Sequence, residues 1–532
     1  MRFRPSGIVL AVCAAIALAG SQLAMPLSAA ATTASTTARA TVHPSQAPSR
    51  PVAYVPLRSS YSTAAGFDVH FKNMDYNGGP VMPSNTNYMV LWSPAGLSAY
   101  PAGYVSGLKT YFKDLAHDSG GHQNVDSVST QYNDSTGAFA RYKSTFGGAL
   151  VDTDPYPATE CPAAAPVIAC LTDPQIQAEL EHFVGHLGLK MDLSHEYFLL
   201  PPPHVETCFN NNPNAKPPFG SCSAGEPKAI AGFCAYHGNT TLSPMLIYSN
   251  NPFDATNPLC QDGNNPNGIA DGEINGGLSH EHNESITDPL PNDAWTNGAG
   301  ANQGEEVGDQ CVASMGTPLG KAPNGAKYNQ VINGHFYWYQ EEWSNQTHSC
   351  LQRLTPSKVR PQARFTVTAG SGLTLKFNAS RSRAPGGIAE YVWQFNDANG
   401  AQTVEKTTPT ISHKFPSAGA YSVGLTIMAK NGTSTGNGGI VTTGHSGITP
   451  GFKHASAGQR VRFSALRTVS AQPVLTYFWE FGDGTTGSGR SPTHRYRRPG
   501  RYTVTLVMFS GVGSAFPGAG AGPVSQQSLT VT

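Results

Sequence analysis

His280, Glu281 and Glu284 stand in the run Ser279–Asp288 (SHEHNESITD), where an imidazole and a carboxylate recur four positions apart with a second carboxylate between them. On an α-helix, residues i and i+4 share a face. His280 and Glu284 can therefore meet one divalent cation through imidazole nitrogen and carboxylate oxygen, at about 2.0–2.2 Å each. Glu281 sits beside that face, placed to accept a proton from a water that the cation acidifies toward a pKa of about 7. His282 points about 200° away from His280 at helical pitch and belongs to another face. A third ligand must come from elsewhere: Asp309 or Glu306 in GEEVGDQC first, then His237 in FCAYHG, then Asp288. A glutamate in place of a second imidazole makes the site richer in oxygen, so Zn²⁺ leads while Ca²⁺ and Mn²⁺ stay open. The bland alternative is a polar helix whose side chains satisfy one another.

The elements that must hold these residues read as an α/β or α+β domain over 61–355. Met89–Trp92, Tyr197–Leu200 and Met245–Ser249 are short apolar runs expected as buried strands, and VDSVSTQY alternates like another. Val105, Leu108, Phe112 and Leu115 recur at helical spacing. A second helix is signposted by Thr172 or Asp173 as cap, Pro174 at its start and the periodic QIQAELEHFVGHLG. Ser279 is the expected cap of the His280 helix, and Pro289 its stop. Upstream, DGNNPNGIADGE (Asp262–Glu273) has the composition of a calcium loop. Its register is wrong, because Gly268 at the invariant turn puts Gly263 at the first ligand position, so a turn-rich loop is expected. The aromatic run His335–Trp343 reads as a buried strand rather than a sugar platform.

Export is written at the start. Arg2 and Arg4 precede an apolar stretch over Gly7–Ala19 and a small-residue cleavage site at Ala29–Ala31, giving a signal peptide over 1–31. The stretch is short for a membrane span, and none other follows. A Thr/Ala/Pro-rich linker occupies 32–60. Without Cys13, eight cysteines remain: Cys161, Cys170, Cys208, Cys222, Cys234, Cys260, Cys311 and Cys350. An even number in an exported chain implies disulfides, and sequence-local pairing is the simplest of the 105 possibilities. Basic and acidic residues balance at 34 each, which argues against nucleic acid as a partner.

Past Pro356 the texture changes to short alternating runs without cysteine, and a repeat appears. YVWQFNDANG (Tyr391–Gly400) is echoed by YFWEFGDGTT, and HKFPSAGAYSVGLTI (His413–Ile427) by HRYRRPGRYTVTLVM, about 80 residues on. Two β-sandwiches are expected, over 359–445 and 450–532. The second copy resembles the polycystic-kidney-disease (PKD) repeat, an immunoglobulin-like β-sandwich. Its W-x-F-G-D-G core is Trp479–Gly484, and its tail is His494, Tyr496, Gly500, Tyr502, Val504 and Leu506. The first copy departs at Asn396–Asp397–Ala398 and Phe415 but keeps Trp393, Phe395, Tyr421, Val423 and Leu425. That resemblance implies spacers, or appendages that bind protein or polysaccharide. The aromatics themselves alternate as core residues do.

Two further resemblances bear on the first domain. His280–Glu284 is similar to the zincin string H-E-x-x-H with glutamate at the second ligand position. The wider run through Cys350 resembles a bacterial secreted group related to the plant phosphate-induced protein, or EXORDIUM, family. The pattern maps onto His280, Glu281, Glu284, Thr287, Asp288, Pro289, Asn292, Ala294, Trp295, Glu306, Asp309 and Cys311, with Asp293 as an extra residue. The likeness extends upstream to about residue 65 and implies an extracellular protein of unsettled activity. No G-x-S-x-G elbow, P-loop or dinucleotide fingerprint is present. The expectation is a secreted metal-dependent hydrolase, zincin-like, with Glu281 as base and His280, Glu284 and Asp309 or Glu306 as ligands. Its rival is a non-catalytic extracellular or cell-wall protein with a structural metal or hydrogen-bond cluster.

Overall fold

A computed structural model describes residues 55–56, 73–135, 137–159, 161, 167–209, 221–223, 232–240, 245–297, 304–397, 400–417, 419–443, 448–449, 451–465, 469–470, 474–483, 486–488, 490–510 and 524–532. The expected signal peptide, all but Val55–Pro56 of the expected linker, Ala398 and Gly484 lie outside these residues.

Alternating hydrophobicity builds the first domain around a nine-stranded mixed sheet. Its strands are β1 (Val55–Pro56), β3 (Asn85–Trp92), β4 (Ser144–Asp152), β5 (Ala169–Thr172), β6 (His195–Leu199), β7 (Val205–Phe209), β8 (Ser221–Ser223), β9 (Gly232–Asn239) and β10 (Ile247–Asn250); β2 (Asp75–Tyr76) lies apart. The order is β4-β3-β6-β10-β9-β8-β7-β5, with β1 paired to β9. β4, β3, β6 and β10 run parallel, and β9 turns antiparallel to β10 with His237 opposite Ser249. Successive side chains leave opposite faces. Met89 and Leu91 therefore pack with Tyr104, Leu108, Phe112 and Leu115 of α1 (Tyr104–His117). Val90 and Trp92 pack on the other face, with Ile176, Leu180 and Val184 of α3 (Asp173–His186). Thr172 and Gln175 close a reciprocal capping box at the start of α3.

The segment expected as a strand in VDSVSTQY is instead one helical turn, α2 (Asp126–Ser129). Local alternation lost to tertiary demands there. Val125 and Val128 share the apolar core one turn apart, and Ser129 Oγ donates to Asn283 Oδ1 at 2.8 Å. Among the described residues, disulfides join Cys161 to Cys170, Cys208 to Cys222, Cys234 to Cys260 and Cys311 to Cys350, the sequence-local pairing.

Each C-terminal repeat forms a β-sandwich of a three-stranded and a four-stranded sheet. Trp393, Phe395, Val423 and Leu425 fill the first core, and Trp479, Phe481, Val504 and Leu506 the second. In both copies a histidine stacks on the motif phenylalanine and reaches the motif aspartate. His413 lies on Phe395 at 4.1 Å between ring centroids, with Nε2 3.2 Å from Asp397 Oδ2. His494 lies on Phe481 at 4.2 Å, with Nε2 2.8 Å from Asp483 Oδ2.

The first sandwich is sealed onto the first domain. The outer face of its four-stranded sheet carries Gln394, Ser422, Gly424, Thr426 and Gly436 opposite β2. Tyr76 N–H donates to Thr426 Oγ1 at 2.7 Å, and Ser422 Oγ donates to Asn77 O at 2.6 Å. Asn133 exchanges two hydrogen bonds with the Gly436 backbone. A Cβ at Gly424 would strike the Tyr76 carbonyl, and one at Gly436 the Tyr76 ring, so the absence of side chains lets the two surfaces close. Tyr76 is fully buried and stacks obliquely on Trp295 at 5.2 Å between centroids. Tyr76→Ala should weaken this seam by about 3–5 kcal/mol, seen as an earlier first transition in urea unfolding. An unchanged transition would show that the seam is not a stability element.

Candidate metal centre

α5 (Ser279–Thr287) does not begin at a cap. The chain arrives from α4 (Ala270–Glu273) through Ile274–Leu278, where the helical path is broken at Gly277 (φ 166°, ψ −29°), and Ser279 is buried inside the helix. The expected Ser279 cap is absent, because Leu278 already has helical backbone angles (φ −58°, ψ −42°) and Ser279 lies inside the first turn. The helix ends at Thr287, before Pro289. Every residue of α5 is buried, although eight of its nine side chains are polar or charged. Such a helix must find a partner for each face, since an unpaired buried polar group is expensive.

The first face carries His280, Glu281 and Glu284. His280 Nε2 lies 2.9 Å from Glu284 Oε1, one turn along, and 3.5 Å from Asp309 Oδ1. Asp309 N–H also donates to Glu284 Oε1 at 3.0 Å. His237, carried by β9 against α5, places Nδ1 3.0 Å from Glu281 Oε2 and 3.6 Å from Glu284 Oε2. Its Nε2 is 3.1 Å from the Asp288 carbonyl oxygen and 3.6 Å from Glu306 Oε2. Ligand atoms of His280, Glu284 and Asp309 lie within 4.8 Å of one another, as do those of His237, Glu281 and Glu284. Five of these six residues are sealed from solvent, and Asp309 keeps 11% side-chain exposure. A closed cluster, not the floor of an open cleft, is what the structure holds.

The loop that brings Glu306 and Asp309 is fixed from several sides. Glu306 N–H donates to Asp309 Oδ2 at 3.0 Å, Gln340 Nε2 donates to Gly308 O at 2.9 Å, and Cys311 is tied to Cys350. Gly308 lets the loop lie flat on the helix. A Cβ there would stand 2.9 Å from Glu284 Oε1 and from two carbons of the His280 ring.

Electrostatics separates the carboxylates. Burial pushes Glu281 up to about 7, against the pull of His237. Burial also works against Glu284, yet the neighbouring His280 and His237 hold it down at about 2. Glu306 rises well above the carboxylate range through burial, despite His237. Burial favours neutral imidazoles, but Glu306 and Glu281 raise His237, and Glu284 and Asp309 raise His280. The charge state of each group thus depends on its neighbours.

Asp288, the last-ranked candidate ligand, is used otherwise. Its carboxylate accepts N–H bonds from Asn292, Asp293 and Ala294 and shapes the turn into Trp295. The loop over Asp262–Glu273 likewise holds its carboxylates with protein donors. Asp262 accepts from Asn264, Asn275 and Trp338, and Asp271 from Asn267. The aromatic run His335–Trp343, expected as one buried strand, instead falls into two short strands, His335–Tyr337 and Glu342–Ser344, separated by irregular chain, with Tyr337, Trp338, Tyr339 and Trp343 buried.

Sequence reasoning missed three carboxylates. Glu342, from the short strand Glu342–Ser344, is buried with no hydrogen bond to either oxygen among the described residues. Burial raises it, with His280 opposing and Glu284 reinforcing. On the opposite face of α5, His282 Nδ1 lies 2.9 Å from Glu196 Oε2, and its Nε2 is 4.0 Å from Asp126 Oδ2. These residues stand far from α5 in sequence, and only the sheet topology brings them to it.

Comparison with known proteins identifies the C-terminal part alone. Residues 358–443 and 450–515 match the PKD domain family. Over 166 residues the chain is 26% identical to the pre-pro-metalloprotease PrtV of Vibrio cholerae, covering 31% of this chain and 17% of PrtV. It is 41% identical over 51 residues to collagenase ColA of Bacillus cereus, covering 9% of this chain and 5% of ColA. It therefore spans less than a fifth of either relative. Among solved structures, the PKD1 domain of the Vibrio cholerae metalloprotease PrtV is 25% identical with a TM-score of 0.14, covering 16% of this chain and 95% of that one. The PKD1 domain of Vibrio anguillarum Epp is 23% identical with a TM-score of 0.14, covering 16% and 94%. No helix of the described residues is long and apolar enough to cross a membrane.

Gly308→Ala tests whether the loop shapes the centre. The added methyl must displace His280 or Glu284, so zinc affinity should fall about 10–100-fold while the far-ultraviolet circular dichroism is unchanged. Unaltered affinity would mean that the close approach of Gly308 has no part in cation binding.

Proposed function

We propose that the chain is a secreted metal-dependent hydrolase of the zincin-like peptidase type, with two PKD sandwiches as appendages toward extracellular protein or polysaccharide. The observation that supports this is the convergence of His280, Glu284 and Asp309 with Glu281 alongside, on a helix that carries H-E-x-x-E. His280, Glu284 and Asp309 are the proposed ligands, and Glu306 stands behind them. A divalent cation held there, zinc first and calcium as the alternative, would supply Lewis acidity and lower the pKa of a bound water. Glu281, on the same face of the helix beside the proposed ligands, is the proposed general base. His237 places Nδ1 3.0 Å from that carboxylate.

The PKD repeats and the similarity to a metalloprotease and a collagenase that share them fit an extracellular protein. Balanced charge offers nothing to nucleic acid.

Burial of the cluster favours a second reading, in which the cation is structural and the chain a binding or cell-wall protein. Closed sites hold a fold together, whereas catalytic ones keep an open position. Glu281→Gln distinguishes the two. The hydrolase reading predicts that the variant keeps the ion at His280, Glu284 and Asp309 but loses casein or peptide cleavage by at least about 100-fold. If the wild type holds metal and cleaves nothing, the structural reading replaces it.

A further inference from the structure

Glu284 presents its two oxygens to two different imidazoles. Oε1 lies 2.9 Å from His280 Nε2, and Oε2 lies 3.6 Å from His237 Nδ1. Neither Glu284 Oε2 nor either nitrogen of His280 makes a hydrogen bond among the described residues, although all are buried. The 2.9 Å approach thus lacks hydrogen-bond alignment. One of the two ligand groups contains Asp309, the other Glu281, and Glu284 is the member they share.

His237 carries an independent sign. Its Nε2 is 3.1 Å from the Asp288 carbonyl oxygen, which can only accept, so Nε2 must bear the proton. In the neutral ring the Nδ1 lone pair is then turned toward Glu281 and Glu284. A histidine whose far nitrogen donates to a backbone carbonyl while the near one faces carboxylates has the arrangement of a metal ligand and its outer support. Glu306 adds a fully buried carboxylate, 3.6 Å from Nε2, with neither oxygen hydrogen-bonded among the described residues.

We propose that this is a two-ion centre bridged by Glu284. His280, Glu284 and Asp309 hold the first ion; His237, Glu281 and Glu284 hold the second. A carboxylate bridge sets ions at about 3.5–4 Å, the separation of two-metal hydrolytic sites. The inference rests on the metal-centre reading above and adds to it, moving Glu281 from a free base to a ligand of the second ion.

Zinc loading of the full-length chain, followed by native mass spectrometry and elemental analysis, tests it. The wild type should carry two zinc ions per chain. His237→Ala should carry one and His280→Ala one, and Glu284→Ala should lose both or bind them at least tenfold more weakly. Zinc-edge X-ray absorption on the wild type needs no variant to fold and should show a zinc–zinc vector near about 3.5–4 Å. One ion per wild-type chain, unaffected by His237→Ala, would overturn the two-ion centre and leave the single-ion reading standing. No bound zinc would overturn both.

Discussion

The constraint on which the first domain depends is the complete burial of α5, a helix that is polar on every side. Ordinary helices meet the core with an apolar stripe and give their charges to water. α5 has Ile286 as its one large apolar side chain and sets His280, Glu281, His282, Asn283 and Glu284 in unbroken succession inside the protein. Left unpaired, each of those groups would cost several kcal/mol. The surroundings are arranged to meet that demand. β9 delivers His237 to one face, β6 and α2 deliver Glu196 and Asp126 to the opposite one, and a disulfide-tied loop delivers Glu306 and Asp309 to the end. The acidic groups still outnumber the basic ones on the first face.

The same demand accounts for the seam with the first sandwich. Ile286 packs with Tyr76, Trp295, Val307 and Trp343 in a small apolar cluster behind the centre. Tyr76 is in turn covered by the sandwich face bearing Gly424 and Gly436. The chain of contact runs from the sheet of the sandwich through two aromatic rings to the helix and the ligand loop. The first repeat is therefore part of the wall around the centre as well as an appendage.

How much of this was legible in the sequence depends on the range of the interaction. The capping box at Thr172 and Gln175, the alternation of Met89–Trp92 and the repeated W-x-F motifs are written within a few residues, and local chemistry reads them. His280 and Glu284 are a turn apart and were legible as a pair for the same reason. The turn at Asp126–Ser129 was not, because its alternation suits a strand until Asn283 and the core claim its side chains. Glu342, Glu196 and Asp126 carried no local signal at all. Access to the site carried no sequence signal either, since exposure is a property of what packs over α5 and not of α5 itself.

If buried surplus charge on α5 is balanced by bound cations, their removal must weaken the fold. The direct measurement is the thermal unfolding of chelator-stripped protein beside the same protein restored with zinc. At zinc concentrations about a hundredfold above Kd, the account predicts a midpoint about 5–10 °C higher in the restored sample. Identical midpoints, with zinc in that excess, would contradict it.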